Sequence, residues 1–90
     1  MPTLHLSITG LVQGVFFRKH TQEKAIELGI KGTVRNLNDG SVEVIAQGEQ
    51  QVLDEFVKWC HVGPARARVD RVVVTVCPSE TFDGFQVKKD

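Results

Sequence analysis

An α+β sandwich, an antiparallel sheet covered on one face by two helices, is the fold class that this 90-residue sequence predicts. Three observations point to it. Several short segments alternate apolar with polar residues, two longer ones carry apolar residues at helical spacing, and glycine-containing breaks set them in the order β-α-β-β-α-β.

The elements follow in turn. Leu4, Leu6 and Ile8 alternate with His5, Ser7 and Thr9, which marks a strand with one buried face that Gly10 ends. Over residues 19–28, Ala25, Ile26 and Leu28 fall among Gln22, Glu23, Lys24 and Glu27, an amphipathic helix that Gly29 stops. Residues 31–37 and 41–47 flank Asn38, Asp39 and Gly40, and Asp-Gly between such segments signals a hairpin because both positions tolerate positive φ. Leu53, Phe56, Val57 and Cys60 share one face of a second helix over 49–61, broken by Gly63 and Pro64. Val69, Val72, Val74 and Val76 form a β-branched strand with an irregularity near Asp70 and Arg71, and a short strand over 85–87 closes the chain. This is the split βαβ, or ferredoxin-like, order. In it the first two strands run parallel with the third between them, so their C-terminal ends share an edge, on the order of 10 Å apart. Arg18 and Asn36 are thereby brought together.

Length and composition narrow the function. Ninety residues fit one domain, 1–90, that buries only somewhat more than ~60% of its unfolded surface, and 41% hydrophobic with 24% charged residues is a globular rather than a disordered balance. Eleven basic residues offset eleven acidic ones, so the broad attraction that nucleic-acid binders exert on polyanions is missing. Positive charge gathers locally at Arg18, Lys19 and Lys24, beside His20, with Arg35 further on; for Lys19 and Lys24 a solvated helix face is the better reading. The apolar run at 72–76 is too short to span a bilayer, no basic segment leads into an apolar stretch at the N-terminus, and a cytoplasmic protein without membrane contact is expected. Cys60 and Cys77 lack CxxC spacing and are expected to be reduced; His5, His20 and His61 lack metal-ligand spacing, so neither metal nor cofactor is expected. No heptad appears, and a monomer is the default.

The most informative segment is Gly10-Leu-Val-Gln-Gly-Val-Phe-Phe-Arg18, with two glycines, no acidic residue, and an arginine where a helix can begin. Glycine lets successive amides turn inward, the helix N-terminus adds partial positive charge, and a guanidinium can close over an anion. A cation at a helix start is disfavoured unless an anion offsets it, which favours a functional Arg18 over a surface one. The expected guest is a phosphate, held by the amides of Gly14, Val15, Phe16, Phe17 and Arg18. By hairpin chemistry alone, Asn36 reads as a turn residue. Ser41 is placed either to hydrogen-bond Asn36 or to face solvent, and Gln13 either braces the loop or points outward.

With that loop followed by Gly32-Thr-Val-Arg-Asn36-Leu-Asn-Asp-Gly40-Ser-Val42, Gly48, Gly63-Pro64 and Phe85-Gln-Val87, the sequence closely resembles the acylphosphatases over nearly its whole length. The resemblance implies hydrolysis of acyl phosphates to a carboxylate and inorganic phosphate, without metal or phosphoenzyme. It also implies that Arg18 and the loop amides bind the phosphoryl group and that Asn36 positions the attacking water. Thr33 departs from the family, which usually has an aromatic residue there; packing rather than chemistry is at issue. The fold alone also serves binding modules, but no strand carries the stacking aromatics of an RNA-recognition motif, the loop lacks the CxxC of metal carriers, and Phe17-Arg18 stands where a P-loop needs Gly-Lys-Ser/Thr. A non-catalytic anion-binding module is the remaining alternative, and it has no use for an asparagine that positions water.

Overall fold

The computed structural model describes residues 1–89, and among them the elements are β1 (Thr3–Leu11), α1 (Phe17–Glu27), β2 (Lys31–Asn36), β3 (Val42–Gln47), α2 (Gln50–Val62), β4 (Arg68–Cys77) and β5 (Phe85–Lys88). The five strands form one sheet in the order β4-β1-β3-β2-β5. Strand β3 lies antiparallel to both β1 and β2, pairing Leu6 with Val44 and Val44 with Val34. Strands β1 and β2 therefore run the same way on either side of β3, as the element order requires. Their C-terminal ends open on one edge, where the loop before α1 and the end of β2 meet.

One pairing departs from the all-antiparallel expectation: β5 lies parallel to β2, with Gly32 opposite Phe85 and Val34 opposite Val87, so the sheet is mixed. The reason is where the chain crosses. Strand β4 ends with Cys77 opposite Thr3, at the end where β2 begins, and residues 78–84 pass along that end, held by Gln47 Nε2 donating to the Glu80 carbonyl (2.9 Å) and Ser79 Oγ to the Met1 carbonyl (3.1 Å). A chain that arrives there must climb in the direction of β2.

Alternation assigns the two faces. Leu4, Leu6, Ile8, Val34, Val42, Val44 and Ala46 are buried on the face that carries the helices, with Leu53, Phe56 and Cys60 from α2 and Phe17 and Ala25 from α1 in the same core. Helix α1 lies over β2 and β5, and α2 over β4. Gly10 does not end β1; the strand runs on to Leu11 through a bulge in which Thr9 faces Arg71 and Gly10 faces Val69. That bulge lies at the irregularity expected near Asp70. At Gly10 (φ +131) a Cβ would fall 2.1 Å from the Arg68 carbonyl oxygen, so glycine here permits close approach instead of termination. In the hairpin only Gly40 takes positive φ (+92), while Asp39 Oδ1 accepts from both the backbone N–H (2.9 Å) and the hydroxyl (2.6 Å) of Ser41. The Asp39 carboxylate closes the turn by side-chain bonding and does not need the left-handed conformation.

On the open face, Glu43, 18% exposed, pairs with His5 Nε2 (3.0 Å) and Arg35 Nε (2.8 Å). The hydrogen bond from His5, and after it Arg35, hold the Glu43 carboxyl below its ordinary 4.5 despite the opposing effect of burial. A carboxyl lowered on folding stabilises the native state above its unfolded pKa and loses that contribution as pH falls through the folded value. Because His5 and Arg35 are themselves partly exposed, the contribution is about 1 kcal/mol or less. Urea unfolding of Glu43→Gln is expected to show that deficit at neutral pH, with variant and parent converging as pH is lowered from about 5 through the folded pKa.

Candidate active site

The loop between β1 and α1 is anchored from below and shaped from within. Val12 (1% exposed) and Phe17 (2%) are buried in the core and Val15 packs against it, while Gly14 and Phe16 are left exposed. Phe17 stacks obliquely on Trp59 of α2 with ring centroids 6.0 Å apart, and Gly63 lets the end of α2 close on Phe17, since a Cβ there would lie 2.8 Å from the Phe17 ring. Backbone φ is positive at Gly14 (+74) and at Phe16 (φ 61, ψ 26), the residue that precedes α1 without a side-chain cap. Left-handed residues so spaced turn neighbouring N–H groups toward a common concavity. Among the described residues, the N–H groups of Gly14, Val15, Phe16 and Phe17 donate to no protein acceptor. The first turn of α1 has no acidic residue, so its positive end is not neutralised locally. Helix α1 begins at Phe17, two residues before the sequence expectation, directly after the left-handed Phe16 and without a side-chain cap.

This loop forms one side of a cavity of about 400 Å³ lined by Val12, Gln13, Gly14, Phe16, Phe17, Arg18, Lys19, Gln22, Asn36 and Val87. Arg18 and Asn36, eighteen positions apart in sequence, thus face the same space. Arg18 Nη1 donates to the Lys88 carbonyl (3.1 Å), which ties the guanidinium to the end of β5. The Asn36 Oδ1 atom is buried and has no hydrogen-bond partner among the described residues. Gln13 spans loop and hairpin: its Nε2 donates to the carbonyls of Leu37 (2.8 Å) and Ser41 (2.9 Å).

Val15 and Ser41 do not line the cavity. The Ser41 hydroxyl, 3% exposed as a residue, donates to Asp39 and not to Asn36; Ser41 enters the site's support through its carbonyl, as an acceptor for Gln13. His20 turns to Glu23 (Nδ1 to Oε1, 3.3 Å) and is absent from the lining. Sequence reasoning missed Val12, Lys19, Gln22 and Val87 as lining residues. Gln22 Nε2 donates to the Phe85 carbonyl (2.9 Å), so α1 is fastened to β5 beside the pocket. The i, i+4 relation of Arg18 and Gln22 on one helix face was a usable signal; the presence of Val87 follows from the parallel placement of β5, which no local pattern encodes.

The chemistry open to this cavity is restricted by what lines it. None of its described residues is a serine, cysteine, histidine, aspartate or glutamate, and Lys19 is the one amine among them. Burial pushes the Cys60 thiol up to about 12, which keeps it neutral inside the core. Among the described residues no group of three or more His, Cys, Asp or Glu side chains could hold a metal ion, and no helix is long and apolar enough to cross a membrane. What stands out is a set of donors around a space the size of a small ligand.

The acylphosphatase family model matches residues 4–87. The chain belongs to the acylphosphatase family. An acylphosphatase of Marinobacter nauticus is 51% identical over 83 residues, covering 91% of this chain and 90% of that protein. Among solved structures, the acylphosphatase of Bacillus subtilis superposes with a TM-score of 0.94 at 32% identity, covering 98% of this chain and 99% of that one. That of Coxiella burnetii gives 0.93 at 37% identity, with 97% and 92% covered. The protein is accordingly an acylphosphatase, a hydrolase, on the ferredoxin-like fold.

Gln13→Leu keeps the shape of the side chain and removes the donor shared by two part-buried carbonyls. Equilibrium unfolding in urea is expected to register a loss of about 1–3 kcal/mol.

Proposed function

We propose that the cavity between the loop and β2 is where the acyl phosphate is hydrolysed, with the phosphoryl oxygens held by the N–H groups of Gly14, Val15, Phe16, Phe17 and Arg18 and by the Arg18 guanidinium. Asn36 orients the attacking water. The observation that carries this reading is that Asn36, at the end of β2, and Arg18, in the first turn of α1, line one cavity with the loop. A carboxamide has both donor and acceptor atoms with which to hold a water that faces phosphorus.

The step then balances without help from a side-chain base. The water oxygen forms a bond to phosphorus while the bond from phosphorus to the acyl oxygen breaks, and the carboxylate departs with that electron pair. A carboxylate is a weak base and needs no proton to leave. The proton from water passes to a phosphoryl oxygen or to solvent, giving inorganic phosphate. Transition-state charge spreads over the equatorial oxygens, where amides and a bidentate guanidinium are most effective. Arg18 is suited to this because its hydrogen bond to the Lys88 carbonyl limits where the guanidinium can lie. The carboxamide of Asn36 contributes orientation, an effect of proximity. A cytoplasmic, single-domain protein that acts as a monomer belongs to the same reading; two free cysteines fit the compartment, and one buried hydrophobic cluster among the described residues fits a single domain.

Hydrolysis of benzoyl phosphate in the presence of a chelator tests the assignment. Arg18→Ala is expected to lower kcat/KM by about 10²–10³-fold or more and to weaken inhibition by inorganic phosphate. Asn36→Ala is expected to lower kcat by a similar factor of about 10²–10³ while phosphate inhibition persists. Full turnover by Asn36→Ala, with native circular dichroism, would remove the water-positioning role.

A further inference from the structure

Phe16 is the one non-glycine residue with positive φ among the described residues, and it is also 63% exposed while lining the cavity. Each of these facts is unfavourable for the fold. A bulky side chain in the left-handed region is a steric outlier, and strain of this kind persists where the surroundings impose it. An exposed phenyl ring returns little by burial, in contrast to Phe17 next to it, which is 2% exposed. The backbone conformation is explained by the loop, because it precedes α1 and sets the direction of the Phe16 N–H; the Phe16 carbonyl accepts from His20 N (3.1 Å) as the first helical bond. A glycine would serve that backbone purpose with less strain. The ring is left without a role in stability.

Its position supplies one. The cavity, about 400 Å³, has room at ~30 Å³ per water-sized group for roughly a dozen heavy atoms, more than a phosphoryl group occupies. The part near Gly14, Arg18 and Asn36 is polar, whereas Phe16 and Val87 present apolar surface to the same space. A ring that both lines the cavity and meets solvent stands at its mouth, where the organic half of a substrate must lie once its phosphoryl half is seated. The loop backbone sets the direction in which the side chain leaves the chain.

We infer that Phe16 is the acyl-side wall of the site, contacting the organic half of the substrate and favouring acyl phosphates with a planar, unsaturated or aromatic acyl group over small aliphatic ones. This rests on the phosphate-binding role of the loop proposed above. Ring-to-ring contact adds to simple burial, so an aromatic acyl group gains from Phe16 what a methyl group cannot.

The test is a ratio of ratios, since benzoyl and acetyl phosphate differ in intrinsic reactivity and only a comparison between variants cancels that difference. For the parent protein, Phe16→Ala and Phe16→Tyr, kcat/KM is measured with both substrates, alongside inhibition by inorganic phosphate. The expected result is a fall of about tenfold in the benzoyl-to-acetyl ratio for Phe16→Ala and its recovery in Phe16→Tyr. A ratio that stays within about twofold of the parent in Phe16→Ala, with both rates falling together, overturns the inference. Loss of phosphate inhibition in the parent itself, or failure to hydrolyse either substrate, is a different outcome and counts against the phosphate-site reading first. Should Phe16→Ala not fold, the parent protein decides: with a non-hydrolysable benzoylphosphonate bound, nuclear Overhauser contacts between its ring protons and the Phe16 ring are expected, and their absence with the probe bound overturns the proposal.

Discussion

Two hydrogen bonds from a single carboxamide, Gln13 Nε2 to the carbonyls of Leu37 and Ser41, join the loop after β1 to the hairpin after β2, and the geometry of the site follows from that junction. Strands β1 and β2 do not pair with each other; β3 separates them. Without a direct link, the loop and the end of β2 would keep their spacing only through the pleat of an intervening strand. Gln13 sets it locally. Arg18 on one side and Asn36 on the other then face a common cavity, and the hairpin that receives Gln13 is closed in turn by Asp39 on Ser41. The chain of support runs from a turn carboxylate through two carbonyls to the backbone that surrounds the pocket.

The loop itself is stabilised by what lies beneath it, not by bonds within it. Val12 and Phe17 are buried at its two ends, Trp59 and Gly63 pack on Phe17, and the intervening amides are left without protein acceptors. Apolar anchoring can hold a backbone in a left-handed conformation without occupying its N–H groups. Had the same loop been held by internal hydrogen bonds, those donors would have been consumed. The division suits a site whose chemistry depends on donors fixed before the substrate arrives.

Strand β5 and α1 complete the enclosure from the other side. Gln22 and Arg18 each donate to a β5 carbonyl, so the helix that carries the guanidinium is fastened at two points to an edge strand.

Much of this was legible in the amino-acid order. Alternation in Leu4, Leu6 and Ile8, helical spacing in Leu53, Phe56 and Cys60, and the Asp39-Gly40 turn are local signals, each expressed within a few residues of chain, and they yield the element order from which β1 and β2 must flank β3. The features that suggest an anion-binding loop are local too, since glycine, the absence of acid and a helix start lie within nine residues. Other features depend on which distant segments touch, and short-range patterns carry no record of that. The parallel direction of β5 depends on the edge along which residues 78–84 cross, and the lining role of Val87 follows from it. The choice of Asp39 over Asn36 by the Ser41 hydroxyl is settled by turn geometry, and the continuation of β1 past Gly10 by the close approach of Arg68. Periodicity reports which face of a segment is apolar; the partner of that face, and the polar atoms left unsatisfied around a cavity, emerge only when the whole chain is packed.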